Sequence, residues 1–328
     1  MKMDLKEFIR FTEKTRKIRD ENFGRKIHFY APSFMYYKTK YFCSSPHFFP
    51  SISITGEACA LKCKHCDGRV LKTMYPATSP EKLLNLCAKL KRNGAIGCLI
   101  SGGCLPNGSV PFEKFVNSIA QVKEKYGLRI IIHTGLISYE LAKKLKEAGV
   151  DSALLDVIGD NETIREIYNL DASVEDFENA LAALEKAEIP TIPHVLVGLH
   201  YGKLKGELKA LKMILKHKPA AVIVIAFIPI PKTPMETVNP PSPLEIAKVI
   251  AAARMLFPSI PIALGCMRPK GEHRIKTDKL AFMAGVNAIA FPTEATIELA
   301  KNMGYETIFS PLCCSEVYME FQSRKPSH

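Results

Sequence analysis

From residue 51 onward the chain repeats one pattern eight times: a short apolar, β-branched run, a polar loop, then a charged helix with an apolar face. The strand candidates are Ser51–Thr55, Ala95–Ser101, Arg129–His133, Ser152–Asp156, Thr191–Val197, Ala221–Phe227, Pro261–Gly265 and Ala288–Phe291. Helix candidates fall near 80–93, 112–125, 138–147, 174–187, 203–217, 243–256, 273–284 and 294–303, several opened by a capping serine such as Ser79, Ser138, Ser173 or Ser242. Strands that alternate with helices lie parallel, because each helix is the crossover that returns the chain to begin the next strand in the same direction. The chain is therefore read as an α/β protein with a (β/α)8 TIM-type barrel over 51–310, a helical and wrapping extension over 1–50, and a C-terminal segment over 311–328. A barrel of this kind takes ~250 residues in one piece and carries its chemistry on the loops that follow the strands. An open doubly wound sheet is the rival, but the Gly-rich phosphate turn expected after its first strand is missing. Within the extension, Leu5, Phe8, Ile9 and Thr12 recur at helical spacing, which predicts an amphipathic helix over 3–20 packed outside the body; 29–50, rich in aromatics and prolines, wraps onto it.

Ten cysteines stand in a chain whose first twenty residues have no long hydrophobic region, so no secretory signal is read there. A cytosolic, reducing location is the expectation, and in it thiols serve metals or catalysis rather than a disulfide framework. No stretch approaches the roughly 18 apolar residues of a membrane span. The formal charge of +12 is spread along the whole length, with no basic run or interleaved aromatics that would mark a nucleic-acid surface. It suits an anionic partner without naming one.

The first strand candidate runs into Glu57-Ala58-Cys59-Ala60-Leu61-Lys62-Cys63-Lys64-His65-Cys66-Asp67, a C-x3-C-x2-C loop. A structural zinc ion needs a fourth ligand and more often takes two C-x2-C pairs at a distance. A cubane cluster needs only three thiolates and leaves one iron open for chemistry. The loop resembles the signature of the radical S-adenosylmethionine superfamily, which carries an aromatic before the third cysteine; His65 occupies that place. The resemblance implies a [4Fe–4S] cluster on Cys59, Cys63 and Cys66, its open iron chelating S-adenosylmethionine. It also implies reductive cleavage to a 5′-deoxyadenosyl radical that takes hydrogen from an unactivated carbon. After the second strand, Ser101-Gly102-Gly103-Cys104 resembles the family's Gly-Gly-Glu; the glycines carry over toward the methionine amino group, and Cys104 replaces the glutamate. Asp156, at the end of the fourth strand, is implied as a ribose contact, while Asp160 reads equally as a helix cap. Pro193–Leu199 resembles the fifth-strand element that supports the adenine, with Val195 and Val197 in its apolar places.

The resemblance extends to biotin synthase over nearly the whole barrel, but the two-iron cluster of that enzyme cannot be assembled here, since the third-strand end offers His133 and the comparable fifth-strand position lies near Ile192. Another cysteine set remains: Cys104, Cys266 in Gly265-Cys266-Met267-Arg268, and Cys313-Cys314, all expected at the active-site rim. They could hold a second [4Fe–4S] cluster, or Cys313 and Cys314 could be a redox pair or ordinary buried thiols. Arg268 would steady that cluster or a substrate carbonyl, or be a plain surface cation. His133, His194 and His200 stand near strand ends, as ligands, substrate contacts or structural residues. The motifs resemble archaeal biotin-synthase-like proteins, among them a two-component lipoyl synthase. That implies sulfur insertion into an octanoyl chain on a lysine of a lipoyl carrier, with a sister radical enzyme as partner and an electron donor such as ferredoxin. A methylase, mutase or cyclase without sulfur insertion, or an iron–sulfur or zinc-binding scaffold, are the alternatives.

Overall fold

The computed structural model describes residues 5–322 except Phe34 and Pro46; the first four residues and the last six of the predicted C-terminal segment lie outside the described residues. All eight predicted strands form, as β2 (Ser51–Ser53), β4 (Gly97–Ser101), β5 (Arg129–His133), β6 (Ser152–Asp156), β7 (Thr191–Val197), β8 (Val222–Ala226), β9 (Ile262–Leu264) and β10 (Ala288–Ala290). They lie in sequence order in one parallel sheet. Three short strands were not foreseen: β1 (Lys26–Tyr30), β3 (Tyr75–Pro76) and β11 (Glu306–Ser310). β1 pairs parallel with both β10 and β11, so it enters the sheet beside the last barrel strand instead of only wrapping onto the body. Among the described residues the sheet order is β11-β1-β10-β9-β8-β7-β6-β5-β4-β2-β3, with no ladder joining β10 to β2.

Side chains alternate across this sheet with the period of two that pleating imposes. On β5, Ile130 and Ile132 join the core beneath the helices while Ile131 faces inward. On β8, Val222 and Val224 face outward and Ile223 and Ile225 inward. The inward set gathers Ile131, Ile192, Ile223, Ala263 and Ala288 into one cluster, which only a curled sheet can do. With both faces covered, the strands read as near-continuous apolar runs, as buried parallel strands do.

Local signals set the helices. Ser79, Ser138 and Ser242 each accept a backbone N–H at the start of α2 (Pro80–Arg92), α4 (Tyr139–Glu147) and α8 (Pro243–Leu256), and Ser173 closes a capping box on α6 (Val174–Lys186). α1 (Leu5–Phe23) packs on α8 and on α9 (Glu272–Met283). Its buried face is Phe8, Thr12, Thr15, Arg19 and Phe23, whereas Ile9 is 48% exposed and the Leu5 side chain lies outside the described residues. A helix absent from the predicted set, α5 (Asn161–Tyr168), follows β6 with Asp160 as its cap, the side chain accepting from Thr163 N–H at 2.8 Å.

The C-terminal segment does not stay at the rim. After β11 the chain turns into the barrel lumen, where Cys314, Val317 and Tyr318 pack in the inner cluster. Glu316 pairs with Arg129, the first residue of β5, at 2.7 Å, and Phe321 meets His28 and Phe23 ring edge to face. Residues 311–322 thus run from the strands' C-terminal ends toward their N-terminal ends and pack in the interior. None of the described helices is long and apolar enough to cross a membrane.

Candidate active site

The cysteine loop follows β2, and two further loops hold it in place. Gly103, after β4, stands so near it that a Cβ there would lie 2.0 Å from the Ala58 carbonyl oxygen and 2.6 Å from Cys59 Cβ; only glycine permits this approach. Its amide donates to Thr55 Oγ1 at 2.7 Å, and Ala60 N–H donates to the Cys104 carbonyl at 2.8 Å. From the other side comes the C-terminal end of α5. Lys64 N–H donates to Ile167 O at 2.8 Å, the Cys63 thiol to Tyr168 O at 3.5 Å, and the Asn169 amide to Leu61 O and Lys62 O at 3.1 and 2.8 Å. These bonds hold Lys62 in the left-handed region, φ 48°, a conformation that costs an L-residue roughly 1–2 kcal/mol. Tyr168 and Asn169 are thus site residues that no sequence motif marks, although Asp160 and the alternation in Asn161–Tyr168 carry a helix signal.

All three loop cysteines are free thiols, Cys63 buried and Cys59 and Cys66 half-buried. Ligand atoms of Cys63, His65 and Cys66 lie within 4.8 Å of one another, a group that leaves Cys59 out. A cubane places each thiolate on its own iron, so its sulfurs need not crowd as ligands of one ion do. The hydrogen bond between Cys63 and Cys66 is the largest influence on the pair: it pulls Cys66 down to about 4, against burial and with help from His65, and it pushes Cys63 up. A thiolate is thus already favoured at the loop, which is the form a metal centre takes. His65 Nδ1 is buried with no hydrogen-bond partner among the described residues, and its ring tilts against Tyr168 with centroids 5.3 Å apart. Three thiols on one pinned loop, one of them poised to ionise, fit a cluster.

Inside the barrel mouth, Ser101 donates its hydroxyl to the His133 carbonyl at 3.1 Å. Asp156 faces the lumen beside His133, with Oδ1 3.4 Å from Nε2, and its Oδ2 accepts the Tyr168 hydroxyl at 3.3 Å. Burial works to raise the Asp156 carboxyl, but His133, and after it His194 and His65, outweigh this and hold it well below the usual carboxylate range. Val197 lies in the layer under the helices, on the opposite side of β7 from His194, so it presents backbone and not side chain to the lumen. A Cβ at Gly102 would lie 3.0 Å from Thr55 Cγ2 and 3.2 Å from Ile54 Cγ1.

Residues 53–214 match the Radical SAM superfamily, and residues 224–309 match the Biotin and Thiamin Synthesis associated domain. The chain belongs to the radical SAM superfamily. Within it the chain falls in the biotin-synthase-like branch: it is 26% identical to the biotin synthase of Neorickettsia sennetsu (strain ATCC VR-367 / Miyayama) over 252 residues, covering 73% of this chain and 74% of that one. To the biotin synthase of Buchnera aphidicola subsp. Schizaphis graminum (strain Sg) it is 28% identical over 250 residues, 73% and 70% of the two chains. The fold matches methylornithine synthase with a TM-score of 0.65 at 20% identity, covering 98% of this chain and 93% of that one. It also matches a maturase of the [FeFe]-hydrogenase with a TM-score of 0.67 at 17% identity, covering 97% and 72%. This radical SAM enzyme therefore has the curled parallel barrel expected of it, and its family implies a [4Fe–4S] cluster and S-adenosylmethionine at the Cys63–Cys66 loop.

The remaining cysteines of this radical SAM chain divide. Cys104 keeps company with the signature loop: burial, then Cys59, Asp156 and Cys66, push its thiol up to about 12. Cys266, after β9, lies instead with Cys313 and Arg268, its thiol pushed up to about 11 by burial first and Cys313 next. The hydrogen bond between Cys313 and Cys314 lowers the first and raises the second. The Tyr30 hydroxyl beside this pair is buried with no hydrogen-bond partner among the described residues. Burial rules out the alternative reading of Arg268 as a surface cation. Its side chain is fully buried, with Nε on Asp278 Oδ1 at 2.7 Å, one terminal nitrogen on Gly265 O at 2.8 Å and the other on Phe291 O at 3.3 Å. These bonds tie the Cys266 loop to α9 and to the end of β10.

Proposed function

We propose that this radical SAM enzyme inserts sulfur into an unactivated carbon, as one component of a lipoyl synthase acting on an octanoyl chain borne by a lysine of a carrier protein. A cluster on Cys59, Cys63 and Cys66, when bound, supplies the electron that cleaves S-adenosylmethionine to a 5′-deoxyadenosyl radical. Sulfur would come from a second cluster held by Cys266, Cys313 and Cys314, with Cys104 as the outlying member of the set read from the sequence. The observation that carries this reading is the packing of Cys266, Cys313 and Cys314 in the inner cluster with Tyr30, whose buried hydroxyl has no hydrogen-bond partner among the described residues. Buried polar groups find partners in nearly every native protein, and cluster sulfides accept such bonds. Arg268 and Asp278 would hold the Cys266 loop, and the packed segment at Cys314–Tyr318 would keep water from the interior. Similarity to biotin synthases supports the sulfur-insertion class, and the net charge of +12 suits an acidic carrier. A sister radical SAM protein would insert the other sulfur, and an electron donor such as ferredoxin would reduce the cluster.

Two measurements test the reading. Anaerobically reconstituted chain should hold about eight irons, and Cys313→Ala with Cys314→Ala should lower this to about four while 5′-deoxyadenosine formation remains measurable. An octanoyl-lysine peptide incubated with the protein, reductant and S-adenosylmethionine should gain the mass of one sulfur. If 5′-deoxyadenosine forms and no sulfur is gained, a methylase, mutase or cyclase of the same superfamily replaces this proposal.

A further inference from the structure

Between the signature loop and the Cys266 group, three lumen-facing side chains of a different chemistry meet. His133 ends β5, Asp156 ends β6 and His194 lies on β7, and one ligand atom of each lies within 4.8 Å of the other two. The register brings them together. Asp156 pairs directly with His194, and His133 pairs with Leu154, two residues before Asp156 on the same face.

We propose that His133, Asp156 and His194 form a binding site for a single divalent transition-metal ion, distinct from the iron–sulfur ligands. The first support is spacing. Asp156 Oδ1 and His133 Nε2 are 3.4 Å apart, too far for a strong charge-assisted bond, which runs to about 2.7–2.9 Å. Two atoms each about 2.1 Å from a common ion, at a tetrahedral angle, stand about 3.4 Å from one another. The second is the outer hydrogen bonding that ligands need to be held in place. His194 Nδ1 lies 3.1 Å from the Ile192 carbonyl; a carbonyl can only accept, so the proton sits on Nδ1 and Nε2 keeps its lone pair. Tyr168 donates to Oδ2 of Asp156, which leaves Oδ1 for the ion. The third is the donor set: two imidazoles and one carboxylate are the ligands of the open-sided sites that hold iron(II), zinc or manganese(II). All three side chains are half-buried and reach in from neighbouring strands, so an ion held by them would turn its remaining coordination positions to the lumen, where a carboxylate or carbonyl oxygen of a substrate would enter.

Manganese(II) is the probe of choice, because it binds thiolates poorly and oxidised [4Fe–4S] clusters are silent in electron paramagnetic resonance. Titration of the cluster-loaded, full-length chain should remove the free-ion signal with a stoichiometry of one manganese per chain. His133→Ala and His194→Ala should each weaken binding at least tenfold with iron and sulfide content unchanged, and Tyr168→Phe should weaken it roughly tenfold through the lost support of Asp156. Absence of stoichiometric binding by the unaltered chain overturns the site, as does equal binding by the histidine variants. It is overturned too if S-adenosylmethionine displaces the ion fully and Asp156→Asn abolishes adenosylmethionine binding, which would assign that carboxylate to the ribose.

Discussion

At Gly103 the missing side chain is itself the contact: any Cβ would collide with Ala58 O and Cys59 Cβ. Gly103→Ala must push the signature loop away, at a cost of about 1–3 kcal/mol in overpacking, and is expected to leave the reconstituted protein short of iron and of visible cluster absorption while far-ultraviolet circular dichroism stays native. Full iron loading in that variant would show the loop to be mobile enough not to need the glycine. Arg268 and Asp278 are both fully buried. Removing one partner strands the other charge away from water, so Asp278→Ala should lower unfolding stability by about 3–5 kcal/mol in a denaturant titration. Sequence alone showed an arginine after a strand and left open whether it faced water. That choice depends on Asp278, ten residues on and nearly two helix turns inside α9, which no local pattern joins to it.

Among the elements, α5 does most for the site. Its last carbonyls and the Asn169 amide take up the polar groups of residues 61–64, which would otherwise be loose in a glycine-poor loop with two left-handed residues, Lys62 and Asp67. Asn169 is itself left-handed, φ 51°, so Asn169→Gly keeps the backbone and removes only the amide. That variant should lose about 1–2 kcal/mol of stability and release its cluster faster under a chelator, whereas unchanged release would mean the helix end alone holds the loop. A second element prediction concerns the turn after β7. Glu207, buried at the start of α7 (Glu207–Leu215), accepts Gly198 N–H at 2.8 Å, and burial raises its carboxyl above the ordinary 4.5 despite that bond. A folded-state pKa above the unfolded one means the native state binds the extra proton. Stability from this group therefore grows as pH falls through the raised value toward 4.5 and is absent above it. Glu207→Gln should flatten the stability profile in that window and gain most over the native chain at pH above it, as read by urea unfolding across pH.

For the whole molecule, the lumen is packed by residues 313–321, which join the inner faces of β1, β9 and β10 and reach Arg129 through Glu316. Ending the chain after Ser310 would empty the space filled by Cys314, Val317 and Tyr318 and should cost more than any single core truncation, above ~5 kcal/mol, with a matching fall in melting temperature. An unchanged melting temperature would show that the segment only rests on the barrel. The eight strand–helix units, their caps and the cysteine loop were all legible along the chain, because strand period, helix period and capping depend on residues within a few positions of one another. Tertiary structure alone decided the rest: β1 between β10 and β11, the burial of Arg268 on Asp278, the separation of Cys104 from Cys266, and the meeting of His133, Asp156 and His194. Each joins residues far apart in sequence, and which of them meet is set by how a twisted sheet curls and by what fills its interior, quantities that no local spacing carries.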